Sequence, residues 1–366
     1  IIFSCPFYKS DNFIVADYRR CFTGCNGSAF KEVQMKPILQ VKDLTVTFKN
    51  YGGTIHAVNG ISFNLYEDET LVLVGESGCG KSVTAHSILK LLPGKKTRIH
   101  EKSQIIFEDK NILEYSEEEM QHIRGNEISM IFQDPLTYLN PTMTIGKQVM
   151  ESILIHQRLS KKEALERTIK ILELAQIPDP EKRLKQYPHE FSGGMRQRVL
   201  ISIALASNPK ILIADEPTTA LDVTIQAEIL ELIQKIQKET KTAVMLITHD
   251  LGVAAEIADR IQVMYAGKII ERGRAEDIFK NAQHPYTKAL LAAVPSIDQL
   301  KENKLYSPEG NHPDMLSVSD GCAFADRCEK CMKVCLKHKP PEMQISDEHF
   351  TSCWLQHEFA KGKNNG

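Results

Sequence analysis

The sequence predicts an α/β fold built on a parallel sheet, and three observations carry that prediction. The stretches Leu71 to Val74, Ile211 to Ala214 and Val244 to Ile247 are short and continuously apolar, as strands buried on both faces of a parallel sheet are. Each ends at a polar cluster, respectively Gly75, Asp215-Glu216 and Thr248-His249-Asp250. An open α/β sheet places its ligand beyond the carboxyl ends of its strands, so three strand ends point at one site. Segments with helical period and capping signals lie between the first strand and the second.

Composition agrees with a globular chain. The 366 residues include 45 basic and 47 acidic side chains, a net charge of −2, with 42% apolar and 25% charged residues; length alone suggests two domains. A disordered or fibrous chain is excluded. No block of like charge would bind nucleic acid or anionic lipid by itself, and no apolar stretch approaches the ~20 residues that cross a bilayer. Nine cysteines are too few for a disulfide scaffold, but five crowd between Cys322 and Cys353.

Residues 1–36 lack a signal-peptide core and a clear helical period; Met35, followed by Pro37 and a strand pattern, could be a natural start, and whether the preceding residues are an upstream read-through or part of the protein stays open. From Leu39 the alternation Leu39, Val41, then Leu44, Val46, Phe48 reads as a half-buried strand with an irregular step at Lys42-Asp43. Ile61, Phe63 and Leu65 repeat the alternation. After Gly75 a helix is expected over Val83 to Leu92. Ser116 with Glu119 and Ser160 with Glu163 form capping-box pairs, the second opening a helix with Leu165, Ile169 and Leu172 on one face. This is an inserted helical subdomain. Pro178, Pro180 and Pro188 interrupt the chain before Phe191, and a helix with Val199, Leu200, Ile203 and Ala204 on one side begins after Gly194. The character changes again near residue 280, with more Pro and His and the cysteine cluster.

Gly75-Glu76-Ser77-Gly78-Cys79-Gly80-Lys81-Ser82 fits the phosphate-binding loop, with a glycine at each end followed by Lys and Ser. Its glycines let backbone N–H groups turn toward phosphate oxygens, Lys81 reaches the β and γ phosphates, and Ser82 supplies a hydroxyl to Mg²⁺. The following helix adds its amino-terminal dipole. Asp215 and Glu216, at the tip of the second buried strand, suit a Mg²⁺-holding and a water-polarising carboxylate. His249 sits at the third strand end, where an imidazole could hydrogen-bond a γ phosphate.

The order of motifs then becomes specific. Gln133 in Ile131-Phe132-Gln133-Asp134 is followed by Phe191-Ser192-Gly193-Gly194-Met195-Arg196-Gln197, Asp215-Glu216, Ala220-Leu221-Asp222 and His249. Over about residues 37–280 this resembles the ATP-binding subunit of ABC transporters. The resemblance implies a P-loop NTPase core of ABC type with an antiparallel β subdomain and the inserted helical subdomain. It implies that Ser77, Gly78, Cys79, Gly80, Lys81, Ser82 and Val83 wrap the triphosphate of ATP and that Mg²⁺ is held through Ser82, Gln133 and Asp215. Gln133 would also contact the attacking water, Glu216 would be the general base and His249 the γ-phosphate switch. Two such domains would face each other head to tail, Ser192, Gly193 and Gly194 binding the ATP of the opposite subunit, with Asp222 at the seam. Phe191 and Met195 replace the Leu and Gln usual in this signature. Either Phe48 or Tyr51 would stack on adenine.

After the ATPase region, His284-Pro285-Tyr286-Thr287-Lys288-Ala289-Leu290-Leu291 and the later Gly321-Cys322-Ala323-Phe324-Ala325-Asp326-Arg327-Cys328, Cys335, Pro340 and Cys353-Trp354 look like the C-terminal extension of dipeptide and oligopeptide permease ATPases, a branch that includes nickel and other small-solute importers. Cys322, Cys328, Cys335 and Cys353 are separated by 5, 6 and 17 residues. Such clustered thiols in a reducing compartment point to a metal. Only Cys328 and Cys331 form a Cys-x-x-Cys arm, whereas zinc commonly uses two; iron–sulfur centres tolerate irregular spacing. The resemblance favours a [4Fe–4S] cluster on Cys322, Cys328, Cys335 and Cys353, with zinc as the alternative and Cys331 unmatched, in a small Cys-rich C-terminal domain over 281–366.

The expected function is an energy-coupling ATPase of a peptide importer at the cytoplasmic face of the membrane. Two transmembrane permease subunits and a second, related ATPase would be its partners, with an extracytoplasmic peptide-binding protein acting indirectly and no nucleic acid involved. Competing readings are an importer ATPase for nickel or another small solute, a soluble ABC ATPase on nucleic acid or ribosomes, and a redox- or iron-responsive regulator.

Overall fold

The structure is a computed structural model describing residues 36–219, 221–294, 315–316 and 320–361. The expected N-terminal extension, apart from Lys36, and Ala220 lie outside the described residues. From the amino end the chain forms β1 (Leu39–Asn50), β2 (Gly53–Leu65), β3 (Thr70–Val74) and α1 (Lys81–Ile88), then β4 (Thr97–Ile99), β5 (Gln104–Phe107) and β6 (Lys110–Asn111). Helix α2 (Glu117–Ile123) and β7 (Ile128–Ile131) lead into a helical insert of α3 (Pro135–Tyr138), α4 (Ile145–His156), α5 (Lys161–Leu174), α6 (Pro180–Arg183) and α7 (Gly193–Leu205). Next come β8 (Ile211–Asp215), α8 (Val223–Thr240), β9 (Ala243–Thr248), α9 (Leu251–Ile257), β10 (Arg260–Tyr265), β11 (Lys268–Arg274), α10 (Ala275–Asn281) and α11 (Pro285–Ala292). Two short strands, β12 (Met343–Gln344) and β13 (Phe350–Thr351), follow the cysteine turns.

The main sheet runs β12-β13-β11-β10-β3-β9-β8-β7, with β10, β3, β9, β8 and β7 parallel. Its central strands are buried on both faces, and their alternate residues enter different cores. Val72, Val74, Leu212, Ala214, Val244 and Leu246 face the helical side. Leu71, Leu73, Ile211, Ile213, Met245 and Ile247 face the side shared with the second sheet. Period-2 burial on both sides is why these strands are continuously apolar.

The second sheet is antiparallel, in the order β2-β1-β5-β6 with β4 also on β1. The β1–β2 pairing slips between Val41 and Leu44, and Asp43 there has φ 47°. This bulge is the irregular step the sequence showed, and it returns Leu44 and Val46 to the buried face.

Both capping boxes form, Ser116 with Glu119 and Ser160 with Glu163. Two helical details differ from expectation. Helix α1 ends at Ile88 rather than near Leu92, and Lys90 has φ 50°; Pro93 disfavours helical geometry at Leu92. The buried face of α5 is Ala164, Thr168, Ile171 and Leu172, while Leu165 is exposed. The face is rotated because Thr168 satisfies its hydroxyl on the Ala164 carbonyl at 2.7 Å and can therefore be buried.

Among the described residues after α11, two short strands join the main sheet. β13 pairs antiparallel with β11, Glu271 opposite Thr351 and Arg272 opposite Phe350. Buried Glu271 accepts the backbone N–H groups of Gln283 (2.5 Å) and His284 (2.9 Å) and lies 2.8 Å from His349 Nε2.

Candidate functional site

The site is assembled at the carboxyl ends of β3, β8 and β9. The loop after β3 turns through residues of positive φ, including Gly78 (78°) and Gly80 (106°), before α1 begins at Lys81. Gly80 is fixed twice over: a Cβ there would lie 2.3 Å from the Ala57 carbonyl oxygen, and the backbone is left-handed. Lys81 is 4% exposed, and its Nζ donates to the carbonyls of Gly75 (2.8 Å) and Glu76 (3.0 Å). The lysine thus closes the loop on itself while carrying its charge under it.

A cavity of about 190 Å³ opens over this loop. Ser77, Gly78, Gly80, Lys81, Ser82 and Val83 line it, together with Gln133 and Glu216. Cys79 is buried beneath, and burial pushes its thiol up from the ordinary cysteine range. Ser82 Oγ donates to Asp215 Oδ1 at 3.0 Å. Burial raises the Asp215 carboxyl above the usual aspartate range, and the Ser82 hydrogen bond partly offsets this.

Glu216 is the meeting point of the strand ends. Its Oε2 accepts from Gln133 Nε2 (3.0 Å) and Thr219 Oγ1 (2.9 Å) and lies 3.4 Å from His249 Nδ1. The residues expected from three motifs therefore converge on one carboxylate oxygen. Thr219 was missed by sequence reasoning, although its place three residues after Glu216 was a usable signal. Ile55, Ala57 and Met315 also line the cavity without any motif to mark them.

Ser192 caps α7, its Oγ accepting the Met195 N–H at 3.3 Å. Ser192 and Gly193 are exposed, and none of Ser192, Gly193 and Gly194 lines the phosphate cavity of its own chain. Gly194 packs against Ile225, on the helix that Asp222 caps. Phe191 is buried in the core and Met195 packs against its edge. Of the two candidate rings, Phe48 packs against the second core, while Tyr51 stands fully exposed at the β1–β2 turn.

Cys322, Cys328, Cys335 and Cys353 line one narrow cavity with His284 and Trp354. Cys331 is exposed and outside it. Burial pushes Cys322 up to about 11 and Cys353 up to about 12, so both are neutral thiols near pH 7. Among the described residues, no three His, Cys, Asp or Glu side chains converge closely enough to hold a single metal ion.

Comparison with known proteins agrees with this geometry. Residues 58–219 match the ABC transporter family and residues 270–335 match the family described as "Oligopeptide/dipeptide transporter, C-terminal region". The chain is 51% identical to the oligopeptide transport ATP-binding protein OppD of Bacillus subtilis (strain 168), over 90% of this chain and 91% of that one. It is 54% identical to the dipeptide transport ATP-binding protein DppD of the same organism, over 89% and 97%. The Escherichia coli (strain K12) OppD is 46% identical over 88% and 94%. A solved dimeric ATP-binding cassette in a post-hydrolysis state with ADP and Pi superposes with a TM-score of 0.58 at 29% identity, covering 65% of this chain and 98% of that one. An ABC ATPase fold, the two family matches and this breadth of identity place the chain in the family of oligopeptide and dipeptide transport ATP-binding proteins.

Proposed function

We propose that the chain is the ATP-hydrolysing, energy-coupling subunit of a membrane importer of dipeptides or oligopeptides. The observation that carries the reading is Glu216, gathered with Gln133, Thr219 and His249 at the mouth of the phosphate cavity. A carboxylate held there can take the proton of a water attacking the γ phosphate, with Gln133 orienting that water and His249 contacting the phosphate. Ser82, Asp215 and Gln133 offer oxygen donors suited to Mg²⁺, which when bound neutralises phosphate charge. The signature Ser192-Gly193-Gly194, exposed at Ser192 and Gly193, can bind ATP held by an opposing ATPase subunit, and a heterodimer with a second related ATPase fits the permease-type tail. No helix among the described residues is long and apolar enough to cross a membrane. Attachment to two permease subunits at the cytoplasmic face, with a peptide-binding protein upstream, is the arrangement this reading requires.

Functionally the chain divides into residues 1–36, a nucleotide-binding region at 37–280 and an extension at 281–366. For the extension we propose a [4Fe–4S] cluster on Cys322, Cys328, Cys335 and Cys353. Its support is a donor set of four thiols on one cavity. Zinc at ~2.3 Å from each sulfur would draw the thiolates to within about 4 Å of one another; a four-iron cluster accepts a wider ring. His284 Nδ1 accepts the Tyr286 N–H, so the ring proton lies on Nε2, which is buried without a partner. That N–H is available to a cluster sulfur. When bound, the cluster would supply the cation that ionises thiols otherwise held neutral.

Reconstitution with the two membrane subunits tests the function. Glu216→Gln is expected to retain ATP binding, lower turnover by ~10²- to 10⁴-fold and abolish peptide uptake. Unchanged hydrolysis would move the base elsewhere, and hydrolysis indifferent to membrane subunits and peptide would remove the importer reading.

A further inference from the structure

Glu76 ties the phosphate loop to the cysteine-bearing tail. Its carboxylate receives both terminal nitrogens of Arg327, Nη1 to Oε2 at 2.8 Å and Nη2 to Oε1 at 3.1 Å. Its backbone N–H donates to the Tyr286 hydroxyl at 2.9 Å, and its carbonyl accepts from Lys81. The side chains are 7% exposed for Arg327 and 19% for Glu76. Tyr265, Tyr286 and Phe324 pack ring against ring around the guanidinium, with centroids 4.6 to 5.4 Å apart, and the Tyr265 hydroxyl accepts a longer bond from Arg327 at 3.3 Å. Arg327 closes a short helical turn, Ala325–Arg327, and adjoins Cys328.

A carboxylate at this point is otherwise a liability. Glu76 adjoins Ser77, which lines the phosphate cavity, and an uncompensated negative charge there would repel a triphosphate within a Debye length of about 10 Å. A bidentate, largely buried guanidinium removes that repulsion and fixes the orientation of the peptide unit whose carbonyl Lys81 grips. We propose that Arg327 is a positioning residue for ATP. It neutralises Glu76 beside the phosphate cavity, so that nucleotide affinity depends on the tail supplying that compensating charge.

The test is a charge cycle read on the full chain in its complex, as KM for ATP against kcat. Arg327→Gln should raise KM about tenfold with kcat changed less than twofold, the signature of lost ground-state binding. Glu76→Gln alone should leave KM unchanged or lower. The pair E76Q/R327Q should recover to within about twofold of the parent, because no charge remains to repel the phosphates, and R327K should retain most of the affinity. The R327Q defect should also shrink when salt is raised from about 0.1 to 0.5 M. A KM in the double variant as high as in R327Q, or a salt-independent defect, would reduce Arg327 to a packing residue. A tenfold rise in KM for Glu76→Gln, a variant that leaves the tail's own residues intact, would overturn the proposal even if R327Q failed to fold.

Discussion

At Glu216 the backbone takes φ 47°, a region that non-glycine residues seldom occupy. The neighbouring strand holds it there: the Glu216 N–H donates to the Ile247 carbonyl at 2.9 Å. The convergence of Gln133, Glu216 and His249 was legible from motif order, since each stood at or near a strand end. The partner Arg327 was not, because it lies 251 positions after Glu76 and no local pattern reports a contact of that span. Packing also separates the two rings proposed to stack on adenine. Phe48 pairs with Ile55 across the hairpin and is partly buried against the second core, whereas Tyr51 is at the turn with its ring in solvent. Tyr51 is thus the ring available to a base without disturbing the fold. Tyr51→Ala is expected to raise KM for ATP by roughly 5- to 150-fold, as loss of ~1–3 kcal/mol of base stacking requires, with the melting temperature unchanged. Phe48→Ala should instead lower stability by about 2 kcal/mol, less than a fully buried Phe. The reverse pattern, measured by nucleotide titration and thermal melts, would give the stacking role to Phe48.

At the scale of elements, the buried strands and the capped helices could be read directly, because a period of 2 or a Ser-x-x-Glu pair is a local signal. The rotation of α5 and the early end of α1 rest on subtler local features, the Thr168 hydroxyl turned back on the Ala164 carbonyl and Pro93 beyond Leu92, which an apolar periodicity does not report. The cysteine turns lie at the other extreme, with almost no regular structure between Cys322 and Pro340. They are fixed by close backbone approach. The Cys322 N–H donates to the Cys335 carbonyl at 2.7 Å, and a Cβ on Gly321 would lie 2.2 Å from that same oxygen. Gly321→Ala must therefore push Cys322 away from Cys335 without altering any thiol. If the four cysteines hold a [4Fe–4S] cluster, the parent purified without oxygen should be brown and contain about four irons and four sulfides per chain. The G321A variant should lose that iron and colour, and its buried Cys335 should react with a thiol reagent as fast as exposed Cys331. A colourless parent containing zinc would remove the cluster, and a variant with full iron content would show that the turn is not what sets the ligands.

At the scale of the molecule, sequence character changed near residue 280, yet the chain does not stop being one structure there. The described residues from Lys36 onward fall in a single compact unit, and the ties between tail and ATPase core are of several kinds. β13 adds to the edge of β11, Arg272 makes a two-bond fork to Glu342 at 2.8 Å each, and Glu271, wholly buried, joins the start of α11 to His349. Removing one partner of a buried polar contact such as this leaves the other unsatisfied and costs several kcal/mol, so the tail has no inexpensive way to detach. Composition could not reveal this, since a shift in residue usage marks a change of surroundings, not a break in cooperativity. The only tryptophan, Trp354, lies in the tail, while far-ultraviolet circular dichroism reports mainly the helices of the core. The two signals are expected to melt at one temperature. ATP at about 100 times its Kd stabilises the bound state by ~2.7 kcal/mol, and it should raise both midpoints equally, by a few degrees. A tryptophan transition that comes first and ignores ATP would mean that the tail unfolds on its own. In that case the Arg327–Glu76 contact could not transmit docking to the nucleotide, because it would break before the phosphate loop was disturbed.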